Sequence, residues 1–230
     1  MSDEAEPAAA PAPVKTNATR TKWLIFIIVG LLSLVADQGT KIWARASLDT
    51  HGHGSGPSGA CVIPDDIVAG HCAGTAQPVM DSFWHWRLSM NPGSAFGLFS
   101  SQAFARVLLS IVGIGAVFAM IWMLKKARDD QRILHWALAF VAGGAIGNLI
   151  DRIYYGVVTD FVLWHVGDHD PKLDRWAHEW PVFNVADIVL VIGVVLMFID
   201  IQIEGKHDKA KRKLRDDKAR EAGLIKNVGG

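Results

Sequence analysis

Two aspartates, Asp160 and Asp187, are the side chains of this sequence best suited to do chemistry. Each lies at the edge of an apolar stretch, and neither has an obvious cation beside it in the sequence. Two unpaired carboxylates that meet in a low-dielectric site cannot both ionise, so they share a proton. One then acts as general base on a water molecule and the other as general acid on a departing amine. The pair predicts the chemistry of an aspartic protease, which needs neither a metal nor another cofactor.

Further polar residues close the apolar run that precedes Asp160. Asn148, Asp151 and Arg152 share one face of a helix, because an α-helix has 3.6 residues per turn. Glycines at positions 143, 144 and 147 let a neighbouring helix approach closely. Polar groups at membrane depth are costly and tend to face a partner or a wet cavity. This face is therefore a candidate functional site.

The elements that carry these residues are long apolar runs in a chain that is 50% hydrophobic. Each run is close to the roughly 20 residues that a helix needs to cross about 30 Å of hydrocarbon. The runs cover residues 23–43, 104–124, 133–150 and 185–203. The sequence predicts an all-α integral membrane protein with four transmembrane helices and a small outer β/loop subdomain. Residues 1–22 are then a disordered tail, residues 23–203 the membrane domain and residues 204–230 a charged tail.

The distribution of charge predicts the orientation, although the formal net charge is zero. Lysines and arginines precede the first run, separate the second from the third, and follow the fourth. By the positive-inside rule both termini are cytoplasmic, and residues 46–100 and 153–182 face outward. A secretory signal peptide is the alternative for the first run. We favour a retained helix, because its removal would leave an odd number of spans that contradicts the basic flanks.

The predicted depth of the polar residues supports one common site. A helix rises about 1.5 Å per residue, so Asp37 lies ~21 Å and Asp151 ~27 Å from the inner ends of their helices. Counted from the other side, Asp187 lies only ~9 Å below the outer surface. The residues predicted at this level are Asp37, Asn148, Asp151, Arg152, Asp160, Asn184 and Asp187. Independent structural charges would be scattered in depth, so convergence favours a single site.

Each candidate also has a purely structural interpretation. Asn184 followed three residues later by Asp187 resembles a helix N-cap device. Asp160 could pair with an outer lysine such as Lys172. Two other carboxylates have a cation close by in the sequence. Asp37 precedes Lys41 by four residues, which is ion-pair spacing on a helix, and Asp151 is followed directly by Arg152.

The outer segments have a mixed character. Residues 46–80 are rich in glycine and read as a flexible loop, whereas the aromatic residues 82–90 predict a strand or an interfacial segment. Asn91-Pro-Gly93 predicts a turn. Residues 162–182 read as an amphipathic segment on the membrane surface. The two cysteines, Cys61 and Cys72, could form a disulfide in an oxidising compartment or remain free thiols.

Two histidine groups could bind zinc, but neither has a recognised metal spacing. One comprises His165, His169 and His178 with Asp168 and Asp170, and the other comprises His51, His53 and His71. We therefore expect no functional metal. A transporter or proton pathway is the main rival to a peptidase, because acidic residues in spans also mark ion routes. Against it, the polar residues cluster on one side and form no chain across the bilayer. A membrane scaffold that only binds is a third possibility.

Four separated motifs resemble those of lipoprotein signal peptidases, the signal peptidase II family. The resemblance covers approximately residues 23–203, and the motifs stand in the order that the family shows. The motifs are Asp37-Gln-Gly-Thr-Lys41, Asn91-Pro-Gly93-Ser-Ala95-Phe96-Gly97, Gly147-Asn148-Leu-Ile-Asp151-Arg152 with Asp160-Phe161, and Phe183-Asn184-Val-Ala186-Asp187. Both the segment before Asn91 and the segment between Asp160 and Asp187 are longer than the family pattern.

The resemblance implies a bacterial inner-membrane aspartic endopeptidase with its active site near the periplasmic face. Its substrates would be prolipoproteins that carry diacylglyceryl-cysteine, cut on the N-terminal side of that residue within the phospholipid bilayer. Asp160 and Asp187 would be catalytic, and Asp37, Lys41 and Asp151 would support the fold. The residues that would bind substrate or orient the dyad are Asn91, Gly93, Asn148, Arg152 and Asn184. We expect a monomer with no nucleic-acid partner.

Overall fold

The computed structural model describes residues 17–80, 83–93, 102–170 and 175–221 of the chain. Its helices are α1 (Asn17–Ser47), α2 (Asp65–Val68), α3 (Gln102–Lys126), α4 (Arg132–Tyr154) and α5 (Val185–Glu221). Its strands are β1 (Thr50–Gly52), β2 (Cys72–Gly74), β3 (Gln77–Met80), β4 (Trp84–Asn91), β5 (Val158–Asp170) and β6 (Arg175–Glu179). Lys172 and residues 94–97 of the second motif lie outside the described residues.

Four of the described helices, α1, α3, α4 and α5, are long and apolar enough to cross a membrane. They contain the four predicted apolar runs, but two of them extend further. α1 begins at Asn17, so it includes residues 17–22. In this part of α1, Lys22 Nζ donates to the Ala127 carbonyl at 2.9 Å and lies 3.3 Å from Asp129. At the other end, α5 continues to Glu221 through the charged tail.

α4 is the central helix and packs against α1, α3 and α5. Glycines on α4 make these contacts close. A Cβ atom on Gly143 would come within 2.8 Å of the Gly30 carbonyl on α1, and one on Gly144 within 2.6 Å of the Ala186 carbonyl on α5. Large apolar side chains on the other three helices are exposed, as lipid-facing residues would be. The glycines therefore set the spacing of the bundle, as predicted.

An antiparallel sheet with the order β3-β4-β5-β6 covers one end of the bundle. Residues 84–91 form its strand β4, which agrees with one of the two predictions for this segment. Residues 162–170 and 175–179 of the predicted amphipathic outer segment form most of β5 and all of β6, two strands that the sequence did not predict. Their alternation of aromatic and polar residues has the period of a strand as well as that of a surface segment, so the sequence alone was ambiguous.

The segment 46–80 is also more ordered than the predicted flexible loop. It contains β1 paired with β2, the short helix α2 and a disulfide between Cys61 and Cys72. The buried carboxylate of Asp66 accepts hydrogen bonds from the backbone N–H groups of Val62 and Ser55 at 2.6 and 2.9 Å. These bonds lower the pKa of Asp66 to about 2. The disulfide and Asp66 together close this segment into a compact unit.

An apolar core joins the sheet to the helices. Leu88 and Met90 of β4 pack with Phe161 and Val162 of β5 and with Ala44 near the end of α1. Ile63 and Ile67 from the disulfide-closed segment pack against the same cluster. This core fixes β4 and β5 above the end of α1, which places Asn91 and Asp160 beside the helix bundle.

We expect Gly144→Ala to destabilise the protein and Gly115→Ala to leave it unchanged or slightly more stable. The added methyl group at 144 meets the Ala186 carbonyl at 2.6 Å and the Leu190 side chain at 2.8 Å, whereas nothing lies within 4 Å at 115. Overpacking of this kind typically costs about 1–3 kcal/mol. Unfolding in detergent micelles measures the difference. Equal stability of the two variants would show that α4 and α5 are not packed this closely.

Candidate active site

Lys41 of α1 is fully buried among polar groups from α4. Its Nζ lies 3.0 Å from Asp37 Oδ2 and 3.4 Å from Asp151 Oδ2, and it donates to Asn148 Oδ1 at 2.8 Å. An ammonium group has three donors, and all three have partners here. Both carboxylates are themselves fully buried. One cation therefore compensates two buried anions.

Asp37 connects this cluster to a third helix. Its Oδ1 accepts a hydrogen bond from the backbone N–H of Ala186 at 2.9 Å, in the first turn of α5. The N–H groups of a first helical turn have no partner within the helix, and the helix dipole favours a negative charge there. Gly147 leaves room for the carboxylate, since a Cβ atom at that position would clash with Asp37. Asp37 thus holds α1, α4 and α5 together.

Asp151 does not pair with Arg152, and the expectation based on their adjacency was wrong. Neighbouring residues on a helix do not face each other. Asp151 lies instead beside two cations of α1, Lys41 at 3.4 Å and Arg45 at 3.8 Å. Its Oδ2 also accepts the backbone N–H of Thr159 at 2.8 Å. Asp151 therefore ties the end of α4 to the beginning of β5.

Asp160 lies on β5 opposite Ser89 of β4 and is only 2% exposed. Its Oδ1 accepts from Asn184 Nδ2 at 2.7 Å, and its Oδ2 accepts from Asn91 Nδ2 at 3.0 Å. Burial and, next, the charge of Asp187 raise the pKa of Asp160 to about 7, although the hydrogen bonds from the two amides lower it. A carboxyl group of this kind can hold a proton near neutral pH.

Asp187 forms a capping box with Asn184 at the start of α5. Asn184 Oδ1 accepts the backbone N–H of Asp187 at 3.1 Å, and Asp187 Oδ2 accepts the backbone N–H of Asn184 at 3.2 Å. The structural interpretation made from the sequence is thus correct. It does not exclude a second role, because Asp187 Oδ1 points to Asn148 Nδ2 at 2.9 Å.

Two buried asparagines join the carboxylates into one network. Asn184 binds Asp160 through its side chain and Asp187 through its backbone N–H. The same side-chain amide also donates to Asn148 Oδ1 at 3.1 Å. Asn148 contacts Lys41 and Asp187. The cluster predicted from depth is therefore continuous from Asp37 to Asp160.

Asn91 is oriented by the turn that follows it. Its Oδ1 accepts the backbone N–H of Gly93 at 2.8 Å, which leaves its Nδ2 to donate to Asp160. Gly93 has a φ of 84°, a left-handed conformation that favours glycine, and a Cβ atom there would clash with Leu109. Gly93 thus acts by orienting Asn91.

Arg152 reaches the network from the last turn of α4. Its Nη1 donates to the Asn148 carbonyl at 3.2 Å, and its guanidinium is within electrostatic range of Asp187 and Asp160. Its Nε is buried and has no partner among the described residues. This donor is available to a molecule that enters the site.

The sequence analysis missed Gln38 and Arg45, two further residues of α1 at the cluster. Gln38 Nε2 donates to Asp37 Oδ2 and to the Gly147 carbonyl, both at 3.1 Å. Arg45 follows Lys41 by four residues, so it lies on the same helix face. That spacing was the signal that could have identified it.

The structure places the two histidine groups considered as zinc sites on β5 and β6 and around β1 and β2. Among the described residues, no three His, Cys, Asp or Glu side chains are grouped closely enough to hold a metal ion. His165 Nε2 instead lies 2.7 Å from His85 Nδ1. The ring of His165 also stacks on the ring of Trp176, with 3.9 Å between the ring centroids. Burial lowers the pKa of His165.

Comparison with known proteins gives a consistent result. The family model described as signal peptidase (SPase) II matches residues 28–203. A lipoprotein signal peptidase of Janthinobacterium sp. (strain Marseille) is 43% identical over 120 residues, which are 52% of this chain and 67% of that protein. The lipoprotein signal peptidase of Xanthomonas oryzae pv. oryzae (strain PXO99A) is 32% identical over 197 residues, 83% of this chain and 93% of that protein.

Two solved bacterial membrane enzyme structures resemble this fold, each at 25% sequence identity. One has a TM-score of 0.53 and aligns over 82% of this chain and 91% of its own. The other has a TM-score of 0.50 and aligns over 79% of this chain and 92% of its own. The similarity therefore covers most of this chain in both cases.

We expect Lys41→Met to destabilise the protein by about 3–5 kcal/mol, because it leaves the fully buried Asp37 without its cation and leaves Asp151 with only Arg45 at 3.8 Å. The control is Arg128→Met. Arg128 also contacts two carboxylates, Asp130 at 3.1 Å and Glu204 at 2.7 Å, but its side chain is 49% exposed. We expect little change there, because water screens exposed pairs. Denaturant unfolding in micelles compares the two. Similar losses of stability in the two variants would mean that the contribution of Lys41 to stability does not depend on its burial.

Proposed function

The chain belongs to the signal peptidase II family of peptidases, and on that premise we propose that it removes signal peptides from diacylglyceryl-modified prolipoproteins. The cut lies on the N-terminal side of the lipidated cysteine. The reaction is hydrolysis by a water molecule activated between Asp160 and Asp187. One observation carries this proposal: a single residue, Asn184, hydrogen-bonds both carboxylates, and burial raises the pKa of Asp160 to about 7.

The two aspartates have environments that suit different roles. Asp187 lies in the first turn of α5, where its carboxylate accepts hydrogen bonds from Asn148 Nδ2 and from the Asn184 N–H, so we assign it as the general base. Asp160 holds a proton near neutral pH, so we assign it as the general acid. Environments that separate two carboxyl groups in this way are how such pairs divide acid and base chemistry.

The reaction follows from these assignments. Asp187 removes a proton from water, and the resulting hydroxide attacks the carbonyl carbon of the scissile peptide bond. The carbon–nitrogen bond then breaks, and Asp160 gives its proton to the departing amine. The proton taken by Asp187 then passes to Asp160, so both carboxyl groups return to their initial protonation states. No metal or covalent intermediate takes part in these steps.

Further polar residues bind the substrate backbone in this proposal. A peptide that is unwound at membrane depth needs hydrogen-bond partners from the protein. Arg152 supplies its buried, unpartnered Nε, and the amides of Asn148 and Asn91 hold the carboxylates in place. A substrate carbonyl that accepts from Arg152 would lie close to both aspartates. Arg152 would thus position the scissile bond.

An apolar groove beside Asp187 supports a lipid-modified substrate. It has a volume of about 320 Å³. Its lining residues are Trp164, Trp180, Phe183, Asp187, Ile188, Val191 and Ile192. Acyl chains buried against these side chains would gain hydrophobic stabilisation and would orient the attached cysteine toward the dyad. The lipid would then replace a long pocket for peptide side chains.

The same proposal includes location and state of assembly. The enzyme lies in the bacterial inner membrane as a four-span monomer, with both termini in the cytoplasm and the active site near the periplasmic face. The basic flanks of the helices support this orientation. Diacylglyceryl-cysteine in the outer leaflet would then be presented at the depth of Asp160 and Asp187.

We expect Asp160→Asn and Asp187→Asn each to lower cleavage of a diacylglyceryl-modified precursor by at least about 10³-fold, since each removes one proton-transfer group. Asp168→Asn is the matched control. Asp168 lies on the same strand as Asp160 but is exposed, so we expect activity close to that of the wild type. The assay uses purified enzyme in micelles with a lipopeptide substrate. Substantial turnover by either dyad variant would exclude the proposed mechanism.

The pH dependence of kcat/KM should show a limb that descends through about pH 7. Below that pH Asp160 is protonated and can act as the acid, and above it the proton is lost. Asn91→Ala removes a hydrogen bond that lowers the pKa of Asp160, so its descending limb should move to higher pH. Rates of lipopeptide cleavage between pH 5 and about 9 test both statements. A limb that moves to lower pH in this variant would contradict the assignment of Asp160 as the acid.

A further inference from the structure

Arg45, in the last turn of α1, contacts both sides of the connection between α4 and β5. Its Nη1 donates to Thr159 Oγ1 at 2.6 Å and lies 3.8 Å from Asp151 Oδ1. Its Cζ lies over the ring of Tyr155, 4.4 Å from the centroid. The side chain is only 11% exposed. One guanidinium therefore fastens the end of a helix to the beginning of a strand.

Thr159 is the residue through which Arg45 can act on Asp160. It is fully buried, and it directly precedes Asp160 on β5. Its backbone N–H donates to Asp151 Oδ2 at 2.8 Å, and its hydroxyl lies 4.0 Å from the sulfur of Met90 on β4. Adjacent residues of a strand point to opposite faces, so fixing Thr159 on one face fixes the direction of Asp160 on the other.

The connection itself is short and sharply bent. Only three residues separate the last residue of α4, Tyr154, from the first of β5, Val158. Among them Gly156 has a φ of 79°, a conformation in which glycine is less restrained than other residues. Contacts on both sides of such a bend restrict its movement. Arg45 provides those contacts at Tyr155 and Thr159.

We propose that Arg45 is a positioning residue for the cleavage reaction. It holds the connection between α4 and β5 so that Asp160 keeps its place beside Asn184 and Asp187. This inference rests on the proposed function and goes beyond it, because Arg45 acts through Thr159 and Asp151 and not on the substrate. A misplacement of about 1 Å in a catalytic group can lower a rate by about 10²-fold.

The contacts require an arginine and not merely a positive charge. A planar guanidinium stacks on an aromatic ring while its edge donates hydrogen bonds, whereas an ammonium group is a point charge on a flexible stem. A lysine at this position could approach Asp151 but could not also cover Tyr155 and bind Thr159. Arg45→Lys therefore separates geometry from charge.

The test measures kcat and KM of full-length enzyme in micelles with a diacylglyceryl-cysteine lipopeptide. We expect Arg45→Lys to lower kcat by about tenfold to a hundredfold and to change KM by less than about twofold, since the substrate contacts remain. Arg106→Lys is the matched control. Arg106 of α3 also reaches the end of α4, with Nη2 3.2 Å from the Ile153 carbonyl, but it is exposed. That variant should retain the wild-type kcat.

Substitutions at Thr159 test the pathway independently and remain informative if Arg45→Lys folds poorly. Thr159→Ser keeps the hydroxyl and should retain most of kcat, whereas Thr159→Val keeps the shape and should lose as much as Arg45→Lys. Combining Arg45→Lys with Thr159→Val should cause no further loss, because both remove the same contact. A merely structural role would give additive losses that follow thermal stability.

Three results would overturn the inference. They are a wild-type kcat for Arg45→Lys, a Thr159→Val variant as active as Thr159→Ser, and losses at the two positions that simply add. Asp160→Asn is measured alongside. If it is inactive while Arg45→Lys is fully active, only the role of Arg45 fails. If Asp160→Asn is active, the proposed function fails and the role of Arg45 fails with it.

Discussion

Burial of negative charge between three helices is the constraint on which the rest of the structure depends. Asp37 and Asp151 are fully buried, and an unpaired ion in such a place would cost several kcal/mol. Lys41 lies between them and offsets part of that cost. Because Asp37 also accepts the Ala186 N–H, the position of the cation fixes α1 and α4 relative to the start of α5. Asn184 and Asp187 lie at the start of α5, so the ion pairs of Lys41 help to determine the positions of these two residues.

Asp160 and Asp187 differ from Asp37 and Asp151 in the chemistry of their hydrogen-bond partners. Asp160 and Asp187 receive hydrogen bonds from neutral amides, those of Asn91, Asn148 and Asn184. An amide fixes the direction of a carboxyl group without adding a formal charge. Its effect on proton affinity is therefore smaller than that of a cation at the same distance. Burial then dominates at Asp160, and its pKa rises to about 7. Cations therefore lie beside Asp37 and Asp151, whereas neutral amides lie beside Asp160 and Asp187.

The sequence was informative where one physical rule acts along the chain and less so where distant segments meet. Bilayer thickness sets the length of apolar runs, and helical rise sets depth, so the helices and the common level of Asp37, Asp151 and Asp187 could be predicted. The partners of Asp151 could not, because they come from α1, more than a hundred residues away. The β5–β6 hairpin was also missed, since aromatic and histidine residues suit a strand as well as a membrane surface.

The capping box shows why structural and chemical interpretations of one motif need not compete. Asn184 and Asp187 satisfy N–H groups at the start of α5, as many helix N-caps do. The same hydrogen bonds turn Asp187 Oδ1 toward Asn148 and leave the Asn184 amide free to reach Asp160. The hydrogen bonds that begin the helix therefore also orient the side chain of Asp187 toward Asn148 and that of Asn184 toward Asp160.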